Sequence, residues 1–364
     1  MAGFELAEST EGVVNIKVIG TGGGGCNAVN RMIANGTKGV EFIAVNTDRP
    51  VVDISRADKK IQIGAKLTKG QGAGSDPKIG EDSAMESREE IEEILRGTDM
   101  VFIAAGMGGG TGTGSAPVIA QIAKDLGILT VAIVTKPFNF EGRKKMSVAE
   151  EGIAKLRQSV DSLIVIPNEK LKFASSERIT LLNAFQIADD VLRQGVQSIS
   201  DLILIPGIVN LDFADVHKIM KDAGNAHMGV GRASGKDKAE TAAQMAISSP
   251  LLETTIDGAT GVIINITGSP DIGLDEVDIA AQKITESIHP DANIIWGAAF
   301  NNDLEDEMIV TVIATGFDSD KSVKPKKADE KAAAENNDAD DANDDEDLSL
   351  GLLNFFKNKS DYDD

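Results

Sequence analysis

Two clusters of glycine hold most of the chemistry that this sequence can do. Gly20-Thr21-Gly22-Gly23-Gly24-Gly25 has the spacing G-x-G-x-x-G, after an apolar run and before a stretch with helical periodicity. A helix starting at such a turn offers free backbone N–H groups and the positive end of its dipole, a setting that suits phosphate. Dinucleotide-binding folds share this pattern, but the acid they want at the end of the second strand is out of place, with Asp48 late and Glu41 early. The second cluster is more specific. Gly106-Met107-Gly108-Gly109-Gly110-Thr111-Gly112-Thr113-Gly114-Ser115 has six glycines and three hydroxyls in ten residues. With so few side chains, the backbone itself must be the binding surface. A nest of N–H groups can wrap a di- or triphosphate, with Thr and Ser hydroxyls adding donors. No G-x-x-x-x-G-K-[ST] occurs, so neutralising the phosphates falls to dipoles, a bound cation and Lys145.

Strands and helices must position these loops. Apolar runs predict strands at Val13–Ile19, Glu41–Val45, Ile61–Ile63, Met100–Ala105, Leu129–Thr135 and Ser162–Ile166. Helical spacing lies between them, over Asn27–Asn35, Asp82–Leu95 and from the second cluster through Ala123. The alternation implies an α/β fold, a doubly wound parallel sheet over residues 13–177. Leu182, Phe185, Ala188, Leu192, Val196, Ile199 and Ile203 recur every three or four residues, which predicts one helix over 178–204, roughly 40 Å long. Further strands at Met228–Val230, Gly261–Thr267, Asn293–Phe300 and Met308–Thr315, with helices at 236–248 and 274–288, predict a second, smaller α/β domain over 205–317.

The chain of 364 residues carries a net charge of −22, which argues against a nucleic-acid partner and against unaided binding to an anionic membrane. Residues 318–364 hold 15 acids and 7 lysines, a net of −8, leaving −14 for the body. Residues 1–12 read as a flexible tail. Residues 318–347 have no aromatic residue and too little apolar surface to offset chain entropy, so a disordered linker is expected. Beyond it, residues 348–364 recover Leu350, Leu353, Phe355 and Phe356, the pattern of a docking peptide for a protein partner. One cysteine, no apolar run of spanning length and no evident leader predict a cytoplasmic chain without direct membrane insertion.

Gly108–Gly114, G-G-G-T-G-T-G, resembles the signature loop of the tubulin/FtsZ superfamily of GTPases. The likeness extends through Ile16–Met32, Ala44–Asp48, Thr135–Gly142, Asp190–Ile203 and Asn210–Val216, and is closer to the FtsZ branch than to eukaryotic tubulin. It covers about residues 13–316 and implies a GTP-binding domain, a central helix and a C-terminal GTPase-activating domain. GTP or GDP is the implied ligand, with Mg²⁺ beside it. The resemblance places the phosphates on Gly22, Gly23, Gly24, Gly25, Cys26, Ala73, Gly108, Gly109, Gly110, Thr111, Gly112 and Thr113. Asn27, Arg31, Asn168, Phe185 and Asp189 are the implied base contacts. Asp189 can accept the two adjacent N–H donors of guanine, and Phe185, one turn earlier, can stack on the base. Glu141, Arg143 and Lys145 fall near sugar and phosphates, with Lys145 at a position where the family usually has Arg.

Asn210, Asp212 and Asp215 supply two carboxylates and an amide in one expected loop, a set able to orient an attacking water. They follow a long helix whose first half carries Phe185 and Asp189, so they can hardly reach the γ-phosphate of their own subunit. A neighbour stacked head to tail brings them within reach, and such a contact repeats into a filament. The resemblance implies the same arrangement, a cytokinetic ring at mid-cell, and membrane-anchoring and regulatory division proteins as partners of the tail. The tail departs from the family in lacking the usual Ile-Pro. An NAD-dependent oxidoreductase would rest on the first cluster alone, with no His or Tyr group to support it. A scaffold that binds nucleotide without hydrolysis is disfavoured by the Asn210, Asp212 and Asp215 set.

Overall fold

The computed structural model describes residues 14–171, 180–204, 212–249, 256, 258–269, 272–301 and 304–317. β1 (Ile16–Thr21) feeds α1 (Gly22–Ala34), and β2 (Glu41–Asn46) feeds α2 (Arg49–Ile54). β3 (Lys59–Gln62) leads through α3 (Ala65–Thr68) to α4 (Pro77–Glu86) and α5 (Arg88–Leu95). β4 (Met100–Gly106) opens onto α6 (Thr111–Asp125), and β5 (Leu129–Lys136) onto α7 (Arg143–Arg157). After β6 (Ser162–Pro167) come α8 (Leu181–Leu204) and α9 (Phe213–Met220). The remaining elements are β7 (Gly224–Ser234), α10 (Lys238–Ile247), β8 (Gly261–Gly268), α11 (Leu274–Thr285), β9 (Asn293–Phe300) and β10 (Glu307–Thr315).

The ten strands form one sheet in the order β3-β2-β1-β4-β5-β6-β7-β10-β8-β9. From β3 to β6 every pairing is parallel. Both faces are covered at its centre, so β4 and β5 read as nearly unbroken apolar runs, whereas the edge strand β3 is Lys-Lys-Ile-Gln. Alternation within a strand divides the two cores. Val18, Phe102 and Ile133 face α1 and α8, whereas Ile19, Ile103 and Val134 face α5, α6 and α7. The second half is mixed, because β10 pairs antiparallel with both β7 and β8. β8 and β10, with α10 and α11, enclose a third core. The two halves meet at β6 and β7, which pair in parallel over three residues, Ser162 to Ile164.

Several local readings change. The run Gly22–Gly25 is helix, not loop, because α1 starts at Gly22. Packing enforces it: a Cβ on Gly25 would lie 2.2 Å from Ala104 O, so this turn and β4 approach at backbone distance. The helix expected over Asp82–Leu95 is two helices meeting at Ser87, whose φ of −101° and ψ of 20° break the spiral. β7 runs for eleven residues where a short strand was expected. α2, α3, α7 and α9 were not anticipated. The tail residues 318–364, with Leu350, Leu353, Phe355 and Phe356, lie outside the described residues, as do residues 1–12 and Asn210.

Candidate functional site

In an open parallel sheet, ligands bind beyond the carboxyl ends of the strands, where the strand order reverses. Here that point falls between β1 and β4, since β1 lies between β2 on one side and β4 on the other. Both glycine clusters leave the sheet there, one entering α1 and the other α6. Sequence segments about ninety residues apart thus become neighbours. A Cβ on Gly22, which has a φ of 70°, would stand 2.6 Å from Gly112 N.

The glycines divide by what surrounds them. Gly22, Gly25, Gly110, Gly112 and Gly114 are spaces in which backbones meet; a Cβ on Gly114 would lie 2.0 Å from Pro77 O. A Cβ on Gly108, which has a φ of 102°, would stand 2.8 Å from Lys145 O. A Cβ on Gly23 or Gly109 would meet nothing within 4 Å, so both positions border open space. One glycine of each cluster is therefore free to let a ligand approach the main chain.

The hydroxyls expected to donate to phosphate are engaged within the protein. Thr111 Oγ1 pairs with Thr47 Oγ1 at 2.6 Å, and Ser115 Oγ pairs with Thr21 Oγ1 at 2.6 Å. Thr113 Oγ1 accepts the Gly108 N–H at 2.9 Å. All three are buried, and their bonds stitch the second loop to β1, to the end of β2 and to itself. Neither Thr47 nor Thr21 carries a functional signal of its own in the sequence, although Thr47 lies in the Ala44–Asp48 run that resembles the family. Ala73 is buried under the same loop, its Cβ 2.9 Å from where a Cβ on Gly110 would be. Cys26 lies in the first turns of α1 with its single S–H shared between Gly20 O and Val45 O, each 3.6 Å from the sulfur.

A second group gathers where α1 and α8 pack. Asn27 and Arg31 lie one turn apart on α1, and Phe185 and Asp189 one turn apart on α8. Burial pushes the Asp189 carboxyl up to about 6, against the opposing pull of the Arg31 guanidinium, with Asp190 adding repulsion. Asn168, in the short turn after β6, is 5% exposed and its Oδ1 has no hydrogen-bond partner. A buried polar atom without a partner costs free energy, and at this end of the sheet a ligand donor would relieve it.

Glu141 and Lys145 pair with each other at 3.0 Å, and Glu141 also accepts the Phe138 N–H at 2.9 Å. The expected phosphate role of Lys145 therefore competes with an ion pair inside its own turn. Arg143 opens α7 with an exposed side chain. Asp212 and Asp215 are not in a loop: Asp212 caps α9, accepting from Ala214 N at 3.2 Å, and Asp215 lies in its first turn. Their location follows from α8. Its first half carries Phe185, beside Phe138 at the carboxyl end of β5, and its last residue, Leu204, would touch a Cβ on Gly39, just ahead of β2. α8, of 24 residues, thus crosses the sheet from carboxyl edge to amino edge over about 36 Å. α9 is held at the amino edge, where Ser162, the first residue of β6, donates to Met220 O at 2.5 Å.

These features define a glycine-lined crevice at the switch point of a doubly wound sheet. The sequence profile of the Tubulin/FtsZ family GTPase domain matches residues 15–175, and that of the FtsZ family C-terminal domain matches residues 224–318. Among solved structures, an empty FtsZ dimer from M. jannaschii shares 45% identity, covering 84% of this chain and 89% of that one, with a TM-score of 0.81. A tryptophan-to-tyrosine variant from M. jannaschii matches at 45% identity, with coverages of 84% and 91% and a TM-score of 0.80. CetZ2 from Haloferax volcanii, in a GTPγS-bound protofilament, shares the fold at 19% identity, with coverages of 83% and 92% and a TM-score of 0.70. The chain belongs to the tubulin/FtsZ family, in its FtsZ branch.

Proposed function

We propose that this chain is a GTPase that assembles head to tail, each copy hydrolysing GTP with carboxylates that the next copy supplies. The observation that carries the reading is the separation of the two chemistries. The glycine clusters, Asn168, Phe185 and Asp189 lie at the carboxyl edge of the sheet, whereas Asp212 and Asp215 lie with α9 beyond the other end of α8. A carboxylate cannot orient a water across that span, and a repeated contact between opposite edges builds a filament.

In this reading the N–H groups around Gly23 and Gly109 take the phosphates, Asp189 accepts the guanine N–H pair and Phe185 stacks on the base. Asn168 gains a partner for its Oδ1. Asp212 and Asp215, with Asn210, polarise the attacking water in the neighbour's site. Among the described residues no group of three or more His, Cys, Asp or Glu side chains gathers as a metal site, so Mg²⁺ would be held largely by the phosphates. The M. jannaschii dimer and the H. volcanii protofilament support self-association. The filament would form the cytokinetic ring, in the cytoplasm at mid-cell, with residues 348–364 binding membrane-anchoring and regulatory division proteins.

Phosphate release measured against protein concentration tests the shared site. Activity per subunit should rise through a threshold, and Asp212→Ala or Asp215→Ala should bind GTP normally yet turn over about 10²–10⁴-fold more slowly. Constant specific activity down to nanomolar protein, or full turnover in both variants, contradicts it.

A further inference from the structure

Three phenylalanine rings meet at the base end of the crevice. Phe138, at the end of the segment leaving β5, is buried at 1% exposure. Phe140 stacks on it, with ring centroids 5.2 Å apart and planes 14° apart. Phe185, from α8, stands at right angles to both, 5.5 Å from Phe138 at 89° and 6.3 Å from Phe140 at 85°. The outer two are open to solvent, Phe140 at 58% and Phe185 at 45%. Two exposed rings held perpendicular make an apolar corner, and the buried ring behind them fixes its angle.

The turn carrying Phe140 is firmly built. Residues Asn139–Glu141 form one turn of 3-10 helix, closed by Glu141 accepting the Phe138 N–H. The Asn139 N–H donates to Glu169 at 3.1 Å, which anchors the turn to the segment that carries Asn168. The same short stretch thus ties together Lys145, Asn168's neighbour and, through ring contacts, α8. An exposed Phe on so constrained a turn loses the hydrophobic gain of burial, so its position calls for an apolar contact that comes and goes.

We propose that Phe140 is the second wall of the base site and the residue that positions Phe185. This deepens the functional reading above and rests on it. A planar base lying face to face on Phe185 is perpendicular to Phe140, the mutual orientation of an edge-to-face pair. Edge-to-face contact suits the quadrupoles of both rings, whose faces are negative and edges positive. Phe140 also contacts Phe185 directly, which restrains its χ angles before ligand arrives and reduces the ordering cost of binding. The corner recognises a flat aromatic heterocycle; the choice of guanine is left to Asp189.

The test is a cycle of variants read by affinity at concentrations below the assembly threshold. Fluorescence-monitored GDP binding is measured for the native chain, Phe140→Ala, Phe140→Tyr, Phe185→Ala and the double variant, alongside circular dichroism to verify folding. Phe140→Ala should weaken GDP about 3–10-fold, the scale of one edge-to-face pair, and Phe140→Tyr should restore the native value. Because Phe140 acts partly through Phe185, the double variant should lose less affinity than the two single losses combined. In assembled protein the loss should appear in KM with kcat unchanged. Unaltered GDP affinity in Phe140→Ala overturns the proposal, as does additivity in the double variant or a change confined to the assembly threshold. A native chain that fails to bind GDP at all overturns instead the guanine reading on which the proposal rests.

Discussion

Replacing Asp189 by asparagine tests the base site most sharply. Its carboxylate sits half-buried on α8, near Arg31 but with no side-chain hydrogen bond among the described residues, and burial has raised it to about 6. A guanine would give it two charge-assisted hydrogen bonds, each worth about 1.5–3 kcal/mol. Discounting for the partial exposure of the site, loss of charge assistance in one bond and conversion of the other to a donor–donor clash should cost about 3 kcal/mol. That is roughly a hundredfold weaker GDP or GTP binding, at 1.4 kcal/mol per factor of ten. The amide brings one acceptor and one donor, which complement xanthine, so Asp189→Asn should gain affinity for XDP as it loses GDP. The native chain should also respond to pH. Below about 6 the carboxyl is protonated and can accept from only one donor, so GDP affinity should fall by up to tenfold per unit as pH drops through that value, and recover above it. Asp189→Asn should remove this dependence. Calorimetric titration with GDP and XDP between pH 5 and 8, below the assembly threshold, reads all three effects. GDP affinity within twofold of native in the variant, with no gain for XDP, refutes Asp189 as the base acceptor.

Glycines facing the crevice and glycines packed within it should respond differently. Gly110→Ala drives a Cβ to 2.8 Å from Asp76 N and should lower thermal stability by about 1–3 kcal/mol, whereas Gly109→Ala should leave it within about 0.5 kcal/mol and weaken nucleotide binding. Equal melting temperatures for the two variants would falsify that division. Deleting residues 348–364 should spare polymerisation and abolish recruitment by a membrane-anchored partner; binding that survives in a pull-down removes the docking role.

The parallel half of the sheet was legible because burial on both faces leaves an unmistakable pattern, as in Met100–Ala105 and Leu129–Thr135. The long helix was legible too, since Leu192, Val196 and Ile199 face one core at helical spacing. The start of α1 was not, because four consecutive glycines have poor helix propensity and only the approach of β4 explains the turn. α9 carries a readable signal in Asp212, a preferred N-cap ahead of an apolar-periodic run, but an exposed carboxylate there suits catalysis and capping equally. The fates of the loop hydroxyls and of Phe140 depend on partners distant in sequence, Thr47 for Thr111 and Phe185 for Phe140, which no local pattern discloses. That both glycine clusters flank one reversal of strand order follows from topology, and topology became visible only in the assembled sheet.

The burial of Cys26 makes it an internal clock for the turn that it occupies. It is the chain's one cysteine, fully shielded, and burial pushes its thiol up to about 11. Maleimides and other alkylating reagents attack the thiolate, so the native chain should label only while the first turn of α1 is transiently unlatched from β2. The alkylation rate then reports the opening frequency at a single point, and ligand that grips the neighbouring backbone should slow it. A dye can equally be attached at a cysteine introduced on the surface, with Cys26 left in place and silent.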